Sequence, residues 1–230
     1  EEVANKILDY KSREIENKFQ FNNTYRNKGY KLVTSAKLSQ AVYTNDTYQK
    51  RFITNQTRIL DYSTDLSIYK WGLSAQLSKP FFREKLRLSL GLRSDANNYS
   101  TSMNSLLDQI SPRFSASYSL TKKLNFNFNT GIYHQLPPYT SLGFRDESGS
   151  LVNKENGIQY ISVNHIIGGF EYFRDSDSKI SIEGFYKKYS DYPISLTDSI
   201  SLANKGADFT VIGDEEIVSK GAGRAYGMEI

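Results

Sequence analysis

Two histidines, His134 and His165, are the chain's entire imidazole complement, and cysteine is absent. They lie far apart in sequence, with no metal-ligand spacing. Serine is abundant, so a Ser/His nucleophilic pair is open, but no G-x-S-x-G turn, Gly-rich phosphate loop or paired-acid motif favours one. Without cysteine, a disulfide framework and a thiolate metal site are both excluded. What remains is the chemistry of recognition. Leu136 to Ser162 carries Pro137, Pro138, Tyr139, Phe144, Arg145 and Asp146. A second polar segment, 190–223, carries Tyr192, Phe209 and the pair Glu215-Glu216. Aromatic and charged groups on long loops are where binding residues concentrate. Ordinary loop packing is the competing reading for each residue singly.

The elements that must position these groups are legible as alternation. Leu86, Leu88, Leu90 and Leu92 alternate with Arg87, Ser89, Gly91 and Arg93. Phe114, Ala116, Tyr118 and Leu120 alternate with Arg113, Ser115, Ser117 and Ser119. Leu124, Phe126, Phe128, Thr130 and Ile132 alternate with Asn125, Asn127, Asn129, Gly131 and Tyr133. A period of two gives β-strands with one apolar and one wet face. The same pattern holds over 14–26, 30–39, 67–77, 165–172, 180–186 and 225–230, about nine strands in all. By parity, His134 stands on the apolar face at a strand end, as a girdle or loop-base residue. His165 stands on the wet face.

The connections alternate in length. Asn27-Lys28-Gly29, Lys79-Pro80 through Lys85, Thr121-Lys122-Lys123 and Arg174 to Ser178 are short. Those near 46–56, 97–109, 136–162 and 190–223 are long. An up-and-down strand order then places all short turns at one end, as in outer-membrane barrels. Charges sort by face as well. Glu14, Glu16, Lys18, Arg26, Lys31, Lys37, Lys70, Arg87, Arg93, Arg113, Glu171, Glu183, Lys187 and Glu229 share the wet face, while Lys188 and Arg224 fall on the apolar one near strand ends. A lipid-facing charge at the bilayer midplane costs about 2–4 kcal/mol, so a membrane enforces this sorting. Tyr25, Tyr30, Phe81, Phe82, Tyr99, Tyr172, Phe173 and Tyr189 fit interfacial girdles. The net charge is +4, from 29 basic and 25 acidic residues that are scattered, which leaves no nucleic-acid footprint. No run of about 18 apolar residues forms a transmembrane helix. No charged-then-apolar leader opens the chain at Glu1-Glu2-Val3, so a mature form or a fragment is expected.

Three segments carry a resemblance. SPRFSASYSLTKKLNFNFNTGIYHQLPPY (111–139), IIGGFEYFRDSDSKISIEGFYKKYSDYP (166–193) and GRAYGMEI (223–230) resemble the barrel of TonB-dependent outer-membrane receptors, most like the Bacteroidetes type. The match is good over the middle and end; residues 1–60 match only as generic strands. The resemblance implies an all-β, antiparallel up-and-down transmembrane β-barrel of about 22 strands with a plugged lumen, in the bacterial outer membrane. About nine strands make this chain a partial arc, without the plug or the motif that engages the TonB energy-transducing protein. The implied activity is active import of a nutrient (siderophore, vitamin, glycan or peptide), with no catalysis, cofactor or metal. Tyr133, Gln135 and Tyr139 of the Y-x-Q-x-P-x-Y stretch join Phe144, Arg145 and Tyr192 as expected ligand-binding residues. Arg87, Arg93, Arg113, Glu171, Glu183 and Glu229 are expected either to pair within the wall or to face the plug. Partners are outer-membrane lipid, TonB through the plug and, compatibly, a surface lipoprotein. A small passive porin or adhesin-like barrel is the alternative, and a soluble secreted glycan-binding β-protein is a third reading.

Overall fold

The structure is a computed structural model that describes residues 5–53, 56–175, 177–206 and 211–230. Phe209, one of the loop aromatics singled out above, lies outside them. Nine strands run β1 Leu8–Asn27, β2 Tyr30–Ile53, β3 Gln56–Phe81, β4 Leu86–Asn97, β5 Ser111–Ser119, β6 Leu124–Gln135, β7 Ile161–Phe173, β8 Lys179–Ser195 and β9 Ile217–Glu229. They form one sheet in strict sequence order, each antiparallel to the next. Among the described residues the sheet is an open arc, with β1 and β9 at its two edges.

Alternation decides the register. Each ladder joins like faces, as in Leu38↔Trp71, Leu90↔Phe114 and Ile166↔Tyr186. One convex face therefore carries Phe19, Leu38, Leu73, Leu90, Ile166 and Met228, all more than half exposed in the isolated sheet. Such a surface calls for an apolar covering, and a bilayer's hydrocarbon supplies one. From Tyr30 to Gln40 the outward row advances ten residues. At about 3.3 Å per residue and a tilt of about 40° that spans roughly 25 Å, the height of an outer-membrane apolar band.

The tilt is visible in the register. One row of paired residues runs Lys31, Ser78, Ser89, Ser115, Asn129, Ile167, Phe185, Gly227. It lies one residue past the start of β2, three past the start of β4, five past that of β6 and six past that of β8. Each row thus climbs relative to the short turns from β2 to β8, the stagger that barrel closure requires.

Several sequence expectations need correction. The stretch near 46–56 is not a long loop. β2 and β3 stay paired up to Ile53↔Gln56, so the connection is two residues long and the hairpin itself projects beyond the membrane. Above the bilayer both faces meet water or polar loops, so alternation fades while pairing continues. Lys188 and Arg224 sit in the middle of β8 and β9, because both strands run higher than their apolar pattern. Tyr99 is no girdle residue: it is 4 % exposed, inside a loop core. Tyr189 pairs with Val163 on the concave face.

Candidate functional site

The concave face belongs to the lumen, and the long connections fold over its upper end. Their core joins Tyr43, Leu66 and Ile68, on the concave face of the β2–β3 hairpin, to Tyr99, Met103, Leu142, Ile158, Tyr160, Leu202 and Ile217. Three connections thus dock on one hairpin. Two short helices, α1 Tyr139–Leu142 and α2 Val152–Glu155, shape the middle one.

Buried polar groups hold this cover in register. Asn153 is fully buried; its Nδ2 donates to the carbonyls of Ser141 at 2.7 Å and Glu215 at 2.9 Å, and its Oδ1 accepts from Ile217 N at 2.8 Å. One side chain therefore staples the β6–β7 connection to the β8–β9 connection. The Tyr99 hydroxyl donates to Leu142 O at 2.8 Å, and burial pushes this phenol well above its usual range. Thr64 Oγ1 donates to Gly143 O at 2.6 Å. Gly143 is required here, since a Cβ would lie 2.8 Å from Tyr43 Cε1. At the rim, Arg51 binds Asp214 Oδ1 at 2.5 Å, and Lys205 bridges Asp198 and Glu215. Asp214 is 1 % exposed, and burial, opposed by Arg51, raises its carboxyl to about 6.

Three of the expected ligand-binding residues lie in this cover, and a fourth, Tyr192 on β8, packs against it. Tyr139 stacks on Tyr43 with ring centroids 5.8 Å apart, and its hydroxyl accepts from Lys70 Nζ at 2.8 Å. Lys70 is held in turn by Glu16 at 2.8 Å. Phe144 is 5 % exposed and meets Tyr62 edge-on. Arg145 donates to Thr64 Oγ1 and Gly149 O. Tyr192 packs against the core and meets Tyr189 edge-on. The first three build the cover. Gln135 ends β6 and is exposed.

Tyr133 is placed differently. It stands on the concave face of β6, with the Arg113 guanidinium 4.1 Å from its ring centroid and the His165 ring 4.2 Å away. Arg113, His165 and Lys187 share one cross-strand row through Gly131. Gly131 is bare for a reason: a Cβ there would meet Pro112 O at 2.9 Å, so the strands are close and the larger neighbours cover the gap. The buried Arg113 Nε has no hydrogen-bond partner among the described residues. This half-buried group of cation, phenol and imidazole suits an anionic or π-rich surface. Sequence reasoning named each member but not their union, because the stack crosses three strands.

The other luminal charges divide. Arg93 makes a fork with Asp95 at 2.6 and 2.8 Å, and Glu171 accepts from Lys179 and Asn127. Arg87 is exposed, opposite Pro80 and Ser117. Glu183 lies directly opposite Glu229, a like-charge pair that is unfavourable unless a cation joins it.

Among the described residues the one Ser–His hydrogen bond is Ser111 Oγ to His134 Nδ1 at 3.0 Å. Ser111 is 2 % exposed and also bonds Gln109 O, so the contact ties the start of β5 to the end of β6. Among the described residues no cluster of three His, Asp or Glu side chains could hold a metal.

A family model described as "TonB dependent receptor-like, beta-barrel" matches residues 4–230. No curated protein matches the chain. Among solved structures, the copper transporter OprC is 17% identical with a TM-score of 0.58, over 81% of this chain and 31% of that one. The FpvAI–pyocin S2 complex is 13% identical with a TM-score of 0.62, over 95% and 30%. A G324V mutant of the ferric enterobactin receptor PfeA from Pseudomonas aeruginosa is 14% identical with a TM-score of 0.59, over 95% and 32%. At these identities the likeness is one of fold. The chain spans about a third of the length of the structures it matches.

Proposed function

The chain belongs to the TonB-dependent receptor β-barrel family, whose members reside in the bacterial outer membrane, and we propose that it supplies wall and extracellular loops to an energised importer. In this reading residues 1–230 are a segment of a roughly 22-stranded barrel of the Bacteroidetes type, and the plug lies outside them. The plug's basic groups face Glu183 and Glu229, and its exposed motif engages TonB from the periplasm. The cargo is a small nutrient: siderophore, vitamin, glycan or peptide. It enters past the loop cover, where a surface lipoprotein can deliver it, and meets the luminal wall. Copper transport and ferric enterobactin reception, named for OprC and PfeA, are instances of such traffic.

One observation carries the reading. The Arg113–Tyr133–His165 stack stands on the concave face, with Tyr133 two residues from the end of β6, where the stapled β6–β7 connection begins. A cover fixed by a buried asparagine gives the mouth a defined shape, which selective reception requires. The test uses the full-length receptor in cells, with the cargo chosen by growth under iron limitation and on glycans. Tyr133→Ala is expected to lower cargo accumulation about tenfold, the effect of losing one well-placed aromatic contact, and deletion of TonB to abolish it. Undiminished accumulation without TonB means a passive barrel and sinks the proposal.

A further inference from the structure

Two cations stand on the lipid-facing side of the sheet. Lys188 on β8 lies directly opposite Arg224 on β9. Both are exposed, and Lys188, flanked by β7 and β9, faces Asn164 and Arg224 across the strands and makes no salt bridge or hydrogen bond among the described residues. Like charges directly opposite one another destabilise a sheet unless an anion joins them.

Their depth identifies the anion's setting. Lys188 lies nine residues above Lys179, the first residue of β8. That is roughly 23 Å above the short turns, given about 3.3 Å per residue and a tilt of about 40°. It is the level where hydrocarbon gives way to the outer-leaflet headgroups. From Lys188 a shallow groove of about 450 Å³ runs along the lipid face over Tyr186, Ile166, Ile132 and Phe114 to Leu90. These residues occupy two adjacent cross-strand rows. Because rows descend toward β4, the groove falls as it goes: Leu90 is four residues above Leu86, roughly 10 Å above the turns. The groove thus begins in the headgroup layer at Lys188 and Asn164, with Arg224 just outside it across from Lys188, passes Thr130, and ends among Phe114, Pro112 and Leu90 in the bilayer interior.

We propose that this is a binding site for a phosphate-bearing, acylated glycolipid of the outer leaflet. The phosphate bridges Lys188 and Arg224, and one acyl chain lies in the groove. A fixed anion relieves the cation pair, and a tilted channel leading down from it fits a chain anchored at its head. Neither feature depends on the cargo or on TonB, so this proposal can fail while the import reading stands.

The test is native mass spectrometry of the full-length receptor in mild detergent, titrated with diphosphoryl lipid A. Phosphatidylglycerol and inorganic phosphate form the comparison arms. Wild type should hold lipid A in preference to both. Lys188→Gln with Arg224→Gln should weaken it about thirtyfold, as for removal of two cations facing an anionic lipid. Lys188→Arg with Arg224→Lys should retain it. Ile166→Trp, which fills the groove and leaves the cations, should weaken lipid A without changing inorganic phosphate; it decides the matter alone if the double variant fails to insert. Equal lipid A binding in the charge-removed or groove-filled protein overturns the proposal. So does phosphatidylglycerol bound as tightly as lipid A, which reports charge attraction with no groove.

Discussion

Phe128 offers the sharpest test of which face meets lipid. It lies on β6, four residues past Leu124, roughly 10 Å above the short turns and near the middle of the apolar band. Its ring is 6.2 Å from that of Phe114, a tilted pair worth about 0.5–1.5 kcal/mol. Phe128→Ala removes that pair, so it is the right reference for Phe128→Arg. The charge itself then costs a further 2–4 kcal/mol or so at the midplane. Asn129→Arg, one residue on, points into the lumen and should cost at most about 0.5 kcal/mol. Ser162→Arg faces lipid eleven residues above Phe173, roughly 28 Å up, and should cost about 0–1 kcal/mol. The assay is guanidinium unfolding of the full-length receptor in lipid vesicles, followed by heat-modifiable mobility. Phe128→Arg no less stable than Phe128→Ala, or Asn129→Arg as costly as Phe128→Arg, would refute the face assignment.

Gly143→Ala puts a methyl 2.8 Å from Tyr43 Cε1 and 3.1 Å from Thr64 Cγ2, both in a packed site. The loop cover should loosen by about 1–3 kcal/mol, read as faster proteolysis within 136–160 on intact cells. Asp214 titrates near 6 when docked but near about 3.9 when its loop is free, so docking takes up a proton between those values. Docking is therefore weakest above pH 6 and strengthens toward pH 4, by an order of 3 kcal/mol at full protonation. Hydrogen exchange at the Ile217 amide should slow as pH falls from 7 to 5, after correction for intrinsic exchange, and Asp214→Asn should remove that dependence.

The strands were readable wherever a bilayer imposes two chemically different faces. Leu86 to Leu92 and Leu124 to Ile132 show this, and their register follows from it. The pattern failed at Asn45 to Asn55, because the constraint stops where the membrane stops while hydrogen bonding continues. Tyr99 misled for a related reason: an aromatic just past a strand end reads as a girdle whether it turns outward to headgroups or inward to Leu142. The face of each wall charge was legible from parity, but not its partner, as the Arg93–Asp95 and Glu171–Lys179 pairs show. The staple at Asn153 was not legible, because its partners Ser141, Glu215 and Ile217 come together only after two loops have folded. The stack of Arg113, Tyr133 and His165 lies between these cases. Each residue's face was known, but adjacency depends on a stagger that no single strand reveals.

That stagger has a mechanical corollary. A row such as Thr24, Val33, Gln76, Gly91, Arg113, Gly131, His165, Lys187 is level in hydrogen-bonding terms yet mounts steadily against the short turns. The inner wall is therefore threaded like a nut. A body sliding straight down the axis crosses from one row's chemistry to the next. A body that keeps its contacts to one such row as it moves along the wall must therefore turn, by an amount set by the strand tilt.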